Sequence, residues 1–261
     1  MNARIGLVVL LAAILGAPAA NADDAFAERV VRRMMDNDAF GSQGARTKMR
    51  MVVRTKRGET RSRGLDWISR EDGGVVKSVV RFRSPAEVAG TAFLLVQRGN
   101  QADEQYVYLP ALRRVRRILG RERQGSFMGS DVSYSDLERR DASAGVYSQR
   151  SDETVGGHAC YVIESTPKQG REGDHPYGRV VMWIRKSDHV ALRMQFFDAR
   201  GRHVKSLFAR RVAAVGGRPV VMESRMENHE TGGVTEIFID HIEFTRDIPA
   251  DQFTQRALES G

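Results

Sequence analysis

The residue types that most often carry catalysis are scattered along this sequence. The six histidines are His158, His175, His189, His203, His229 and His241. None of them are two or four residues apart, and His229-Glu230 lacks the second histidine of a zinc-protease motif. No glycine-rich phosphate-binding motif and no Gly-x-Ser-x-Gly nucleophile elbow occurs. The sequence therefore predicts a protein that is not an enzyme and that has no catalytic residue, metal site or cofactor.

The single cysteine, Cys160, excludes an internal disulfide framework and a cysteine-based zinc finger. Its nearest basic neighbour is His158, which lies two residues away and so on the same face of a strand. We interpret Cys160 as an inert core thiol, because cysteine is among the most often buried residue types.

The strongest charged feature is a cluster of arginines on the predicted strand Leu112 to Ile118. Alternation on a strand separates them into two pairs that face opposite ways. The pairs are Arg114 with Arg116, and Arg113 with Arg117. Guanidinium groups suit phosphates and carboxylates, so all four are candidates for contact with a lipid headgroup or a protein partner. A solvated edge strand that resists aggregation is the alternative. No aromatic residue is interleaved with them, which argues against nucleic acid.

A second candidate site is apolar. Methionine is frequent on the predicted strands, and its flexible, polarisable side chain suits cavities that accept varied apolar ligands. An ordinary packed core is the alternative. We expect ten residues to line such a cavity: Met49, Met51, Phe93, Leu95, Tyr106, Tyr108, Met182, Met194, Phe196 and Met222.

The first residues have the pattern of a secretory signal peptide. Arg4 precedes an apolar stretch from Ile5 to Ala17, and Ala20-Asn21-Ala22 is a typical cleavage site. That stretch is shorter than the about 20 residues needed to span a bilayer. We expect cleavage after Ala22, export to the periplasm and a single domain over residues 23–261. The formal net charge of the 261-residue chain is +8, which favours acidic partners.

The elements that must position these residues are mostly strands. Phe26, Val30 and Met34 recur every four residues and predict an amphipathic helix that we expect to act as a lid. From Met49 onward the apolar period is two, with turn signals every 8–12 residues, which predicts an antiparallel meander. Within it, alternation places Val190, Leu192, Met194 and Phe196 on one face of a strand. A short internal helix is predicted near Tyr134–Leu137.

Several segments resemble a known family. The runs Tyr106–Ile118 and Gly125–Asp131 resemble the signature of bacterial outer membrane lipoprotein-sorting proteins, which are similar to the periplasmic carriers LolA and LolB. Phe82–Thr91 and Ile248–Thr254 also resemble that family. The resemblance implies a mainly β fold: one large curved antiparallel sheet of about eleven strands that forms a half-open barrel. An N-terminal helix and a short internal helix would cover its concave face.

The same resemblance implies a carrier that shields the acyl chains of a lipid or lipoprotein and delivers them to an outer-membrane or exporter partner. It also implies an RND-type membrane exporter as that partner. The alternative is a non-enzymatic adaptor or regulator that docks on such an exporter or senses envelope lipoproteins. We expect a monomer with no nucleic-acid partner.

Overall fold

A computed structural model describes residues 22–37, 44–99, 103–138, 142–174 and 176–260 of the chain. The predicted signal peptide lies outside these residues except for Ala22, which begins helix α1 (Ala22–Asp36). The predicted amphipathic helix is therefore confirmed, with Ala27, Val30 and Val31 buried along one stripe. None of the helices in the described ranges is long and apolar enough to cross a bilayer.

Strands form most of the remaining chain, because apolar and polar residues alternate along them. They are β1 (Ala45–Arg54), β2 (Thr60–Asp72), β3 (Val75–Ser84), β4 (Ala92–Arg98), β5 (Glu104–Leu109), β6 (Arg114–Ile118), β7 (Gly145–Val155), β8 (His158–Pro167), β9 (Arg179–Arg185), β10 (Ala191–Phe197), β11 (His203–Val215), β12 (Arg218–Asn228) and β13 (Val234–Phe244).

All the strand pairs are antiparallel and form one 13-stranded sheet in the order β6-β5-β4-β3-β2-β1-β13-β12-β11-β10-β9-β8-β7. Each strand pairs with its neighbours in sequence except that β6 and β7 do not pair with each other, and the β1–β13 pair joins the two halves. The sheet is open, with β6 and β7 as its edges, so the predicted mainly β, half-open architecture is confirmed. The predicted count of about eleven was low. β7 went unpredicted because most of its side chains are exposed and polar, which leaves little alternation to detect.

The two faces of the sheet carry different apolar clusters. Two large clusters cover one face continuously, since Leu137 and Ile237 pack against both; we call this the inner face. Two other clusters lie on the opposite, outer face. One of these is covered by the C-terminal helix α2 (Gln255–Glu259), whose Leu258 is fully buried.

Two parts of the chain cover the inner face. Helix α1 packs at the β7 end. The segment from Gly120 to Leu137, which we call the plug, packs over the other half. The plug contains three short 3-10 helices, and the last of them, Tyr134–Leu137, confirms the predicted internal helix.

One strand departs from the predicted alternation. The register of β10 against β9 shifts between Ala191 and Arg193, which marks a β-bulge. Val190 and Leu192 consequently pack in an outer-face cluster, whereas Met194 and Phe196 pack on the inner face. The prediction that all four share one face is therefore wrong.

Candidate apolar binding site

The methionines mark the inner face. Nine of the ten methionines lie in the described residues, and all nine belong to the two inner-face clusters. They are Met34, Met35, Met49, Met51, Met128, Met182, Met194, Met222 and Met226. Neither outer-face cluster contains a methionine. The flexible apolar side chains are thus concentrated on one surface and on the elements that cover it.

Aromatic rings join the plug to the sheet at one end of the inner face. The Phe127 ring of the plug meets the Phe93 ring of β4 edge-on, with centroids 5.3 Å apart. Tyr134 lies 5.5 Å from each of these two rings. Phe82 completes the group, 5.8 Å from Phe127. Such offset and edge-on pairs are the favoured aromatic geometries.

Helix α1 covers the other end through apolar contacts. Its Phe26 ring meets the Tyr161 ring of β8 edge-on, with centroids 5.3 Å apart. Val30 and Val31 are 3% and 0% exposed, within a cluster that includes Met182 and Phe196. The surface that α1 presents to the sheet is therefore apolar.

The structure places eight of the ten predicted lining residues on the inner face. These are Met49, Met51, Phe93, Leu95, Met182, Met194, Phe196 and Met222. Tyr106 and Tyr108 are the exceptions: they pack in the outer-face cluster under α2. Because Val107 of β5 faces inward, its two neighbours must face outward. The prediction that these two tyrosines line the same surface is wrong.

A buried ion pair anchors the plug to β11. Lys205 Nζ lies 2.8 Å from Asp136 Oδ2, and the Tyr177 hydroxyl donates to Asp136 Oδ1 at 2.7 Å. The backbone N–H of Ser133 also donates to this carboxylate, at 2.9 Å. Burial alone would raise the pKa of Asp136, but the Lys205 charge and these hydrogen bonds outweigh it and lower the pKa.

A second buried carboxylate anchors the middle of the plug to β13. The Thr235 hydroxyl donates to Asp131 Oδ2 at 2.8 Å and accepts from the Asp131 backbone N–H at 2.9 Å. Gly233 allows this close approach, because a Cβ there would lie 2.4 Å from Asp131 Oδ1. The glycine leaves room for the carboxylate beside the strand.

Two further polar contacts hold the backbone of the plug. The buried Arg63 of β2 donates to the Met128 carbonyl. Burial and the nearby Arg61 charge lower the pKa of Arg63. Gln105 donates to the Tyr134 carbonyl at 3.2 Å. Buried polar contacts thus hold the plug at several points along its length.

Comparison with known proteins identifies the family. The structure of a DUF1329 family protein from Desulfovibrio piger superposes with a TM-score of 0.84 at 31% identity, covering 90% of this chain and 99% of that one. The chain belongs to the DUF1329 family. A family model described only as an uncharacterized protein matches residues 74–260. None of the curated proteins compared with the chain matches it.

Other relatives of this DUF1329 protein share its fold. A putative outer membrane lipoprotein-sorting protein domain from Vibrio parahaemolyticus is 27% identical, with a TM-score of 0.81, over 90% of this chain and 99% of that one. A LolA superfamily protein from Nitrosomonas europaea is 17% identical, with a TM-score of 0.68, over 88% and 98%. The resemblance to lipoprotein-sorting proteins found in the sequence is therefore confirmed.

The arginine cluster of this DUF1329 protein lies on an edge of the sheet. Arg114, Arg116 and Arg117 belong to β6 and are exposed. Arg114 and Arg116 share a face, as the sequence predicts, because they lie opposite Leu109 and Val107 of β5. Arg113 precedes the strand with a left-handed φ of 45°, since Pro110 begins a short 3-10 helix. The prediction that Arg113 belongs to the strand is wrong.

Sequence spacing missed one histidine cluster. His203 and His229 have ring centroids 4.3 Å apart, and both Nε2 atoms lie 3.0 Å from the buried Ser206 hydroxyl. Burial and the nearby His229 lower the pKa of His203. Only the register of β11 against β12 brings these residues together. His203 stacks on Phe197 of the outer face and bonds within β11, whereas His229 reaches Ser206 of β11 from the end of β12.

The plug anchors were also missed, although one of them has a local signal. Ser133 and Asp136 form a capping box in which each side chain accepts from the backbone N–H of the other. That spacing is visible in the sequence. The partners Lys205 and Thr235 are distant in the chain and carry no such signal.

Proposed function

We propose that this DUF1329 protein is a periplasmic carrier that binds the acyl chains of a lipid or lipoprotein between the inner face and its covering elements. The observation that carries the proposal is the confinement of all nine described methionines to that face and its cover. A core that only had to fill space would have no reason to exclude methionine from the outer face. Flexible methionine surfaces accept ligands of varied shape.

Acyl chains would bind by displacing part of the cover. In this conformation the inner face is packed against α1 and the plug, with Met49 and Met51 only 5% and 3% exposed. A chain of about fifteen methylenes would gain on the order of 10 kcal/mol from burial, at about 0.8 kcal/mol per methylene. That gain can offset the loss of a limited set of apolar contacts in the cover.

Helix α1 is the better candidate for the moving part. The plug is fixed by buried polar anchors at Asp131 and Asp136, which are costly to break. The sheet-facing stripe of α1 is apolar, and its buried members are Ala27, Val30 and Val31. An acyl chain can replace such contacts without leaving a buried charge unpaired. We therefore assign the lid role to α1, with Phe26, Val30 and Met34 as its contact residues.

Two arguments support a periplasmic location. The Ala20-Asn21-Ala22 site follows an apolar stretch that is typical of an export signal. The relative from Vibrio parahaemolyticus is described as a putative outer membrane lipoprotein-sorting protein domain. N-terminal sequencing of the exported protein should begin at Asp23. A mature form that retains Ile5 to Ala17 would contradict export with cleavage.

Copurified lipid tests the proposed function. The protein is purified from the periplasm without detergent, and an organic extract is analysed by mass spectrometry. We expect acylated lipid or lipoprotein in stoichiometric amount. A lipid-free protein that also fails to bind added phospholipid would contradict the carrier role. That result would favour the second candidate function, a docking adaptor. The exposed arginines at β6 are the observation that supports an adaptor.

A further inference from the structure

We infer that the free edge of β6 accepts an extended, acidic segment of a partner protein as an added strand. The inference concerns the delivery step of the proposed function. It rests on the proposed function only in assuming that a protein partner exists. The residues that carry it are the exposed arginines of β6 (Arg114–Ile118) and the exposed leucines that flank the strand.

The first support is the open backbone of β6. This strand ends the sheet and pairs only with β5 among the described residues. Every second residue of an edge strand directs its N–H and C=O groups away from the sheet. Those groups are a template on which an extended segment can add a further strand.

The second support is the charge around that edge. Between Gln105 and Ser130 the sequence has six arginines and one acidic residue, Glu122. Glu122 lies 3.0 Å from Arg116, and both side chains are about half exposed. Arg113 and Arg114 form no ion pair within the described part of the chain. A partner strand with carboxylates on alternate residues would meet these guanidinium groups.

The third support is apolar. Leu112 and Leu119 flank β6 and are 66% and 57% exposed, which makes them the two most exposed large hydrophobic side chains of the described residues. Arginine alone would keep a sheet edge soluble. Two exposed leucines beside it oppose that purpose and offer apolar contact to the intervening residues of an added strand.

The opposite edge of the same sheet provides the contrast. β7 carries Arg150 together with Asp152 and Glu153, its register shifts between Arg150 and Glu153, and α1 packs against it. Mixed charge, a bulge and a covering helix are ordinary protections of an edge strand. β6 has no acidic residue and no bulge, and the helix α2 that contacts it packs on its outer face, in the cluster of Val115 and Leu258.

The experiment uses the full mature chain after delipidation, so that its outcome is independent of acyl-chain binding. The probe is a fluorescent peptide of alternating Glu and Val residues, and its affinity is measured by anisotropy. The matched probe is the same peptide with alternate amides N-methylated, which keeps the charge and blocks strand pairing. The protein variant is Arg114→Glu with Arg116→Glu, and its control is Arg57→Glu with Arg200→Glu, two exposed turn residues.

Strand addition predicts that the N-methylated peptide and the Arg114→Glu, Arg116→Glu variant each weaken binding at least tenfold, whereas the control variant keeps wild-type affinity. Amides of β6 should also exchange with deuterium at least tenfold more slowly when the unmodified peptide is bound. Equal binding of the two peptides would overturn the inference, because charge alone would then explain it. Binding to phosphatidylglycerol vesicles but to neither peptide would overturn it in favour of a membrane surface.

Discussion

The carboxylate of Asp136 lies 2.8 Å from the ammonium group of Lys205, and the two side chains are only 6% and 13% exposed. This pair joins residues 69 positions apart in the chain and ties the plug to β11. The plug (Gly120–Leu137) is therefore held over the inner face by a specific buried contact.

Removing the charge of Asp136 should destabilise the protein strongly. Asp136→Asn leaves Lys205 buried without its counter-ion, which costs about 3–5 kcal/mol in comparable pairs. Urea unfolding measures the loss. The control is Asp240→Asn, whose partner Arg50 is exposed, and it should cost less than about 1 kcal/mol. Equal effects of the two substitutions would contradict the anchoring role of the buried pair.

The same pair predicts a pH dependence. The pKa of Asp136 is lowered in the folded protein from its ordinary value of 3.8, so its ionised form stabilises the fold at neutral pH. This contribution is complete above the unfolded pKa and is lost as the pH falls through the lowered folded pKa. The gap in unfolding free energy between wild type and Asp136→Asn should therefore shrink below about pH 4. A gap that stays constant from neutral pH into strong acid would contradict the stabilising role of the ionised Asp136 side chain.

Adding even a methyl group at Gly233 should destabilise the protein. In Gly233→Ala the new Cβ would lie 2.4 Å from Asp131 Oδ1, so the carboxylate must leave its hydrogen bond with Thr235. We expect a loss of about 1–3 kcal/mol, the cost of an unsatisfied buried polar group. Gly173→Ala is the matched control, because a Cβ added at Gly173 would meet no atom within 4 Å. Equal unfolding temperatures for the two variants would contradict the close approach of Gly233 to Asp131.

A charge on the buried stripe of helix α1 should detach the helix from the inner face. Val30→Asp places a carboxylate where the side chain is 3% exposed, at a cost on the order of 3–5 kcal/mol. The variant should bind more of a hydrophobic dye, because the inner face is uncovered. Ala25→Asp adds the same charge at an exposed position of α1 and should change neither dye binding nor stability. If Val30→Asp behaves like this control, α1 is not the lid.

Local patterns predicted the faces where strands are regular. On β9 the predicted lining residue Met182 lies on the inner face with Val180 and Ile184, and alternation puts Val181 and Trp183 on the outer face. It failed on β10, because a bulge breaks the period of two. On β5 the alternation was right but the chosen face was wrong, since only the C-terminal helix α2 makes the outer position of Tyr106 and Tyr108 apolar.

The polar anchors of the plug were beyond sequence analysis for a different reason. Asp131 and Thr235 are 104 positions apart in the chain, and neither residue type is diagnostic by itself. The same holds for Arg63, whose partner is a backbone carbonyl. Long-range polar contacts leave no periodic signal in the chain.

Methionine should matter for ligand range more than for stability. A combined Met51→Leu, Met194→Leu, Met222→Leu variant keeps apolar volume, so each change should cost less than about 1.5 kcal/mol. Its stiffer side chains should narrow the range of fatty-acid lengths that bind. Leu94→Met, on the outer face, is the control and should leave that range unchanged. An unchanged range in the triple variant would show that methionine serves only packing.

Photo-cross-linking with a phospholipid that carries a diazirine on its acyl chain tests the central claim most directly. The labelled peptides are located by mass spectrometry with the wild-type protein. The account predicts saturable labelling on inner-face residues of β1, β9 and β12, such as Met51, Met182 and Met226. Labelling confined to the outer face, or labelling that excess unlabelled phospholipid does not reduce, would contradict it.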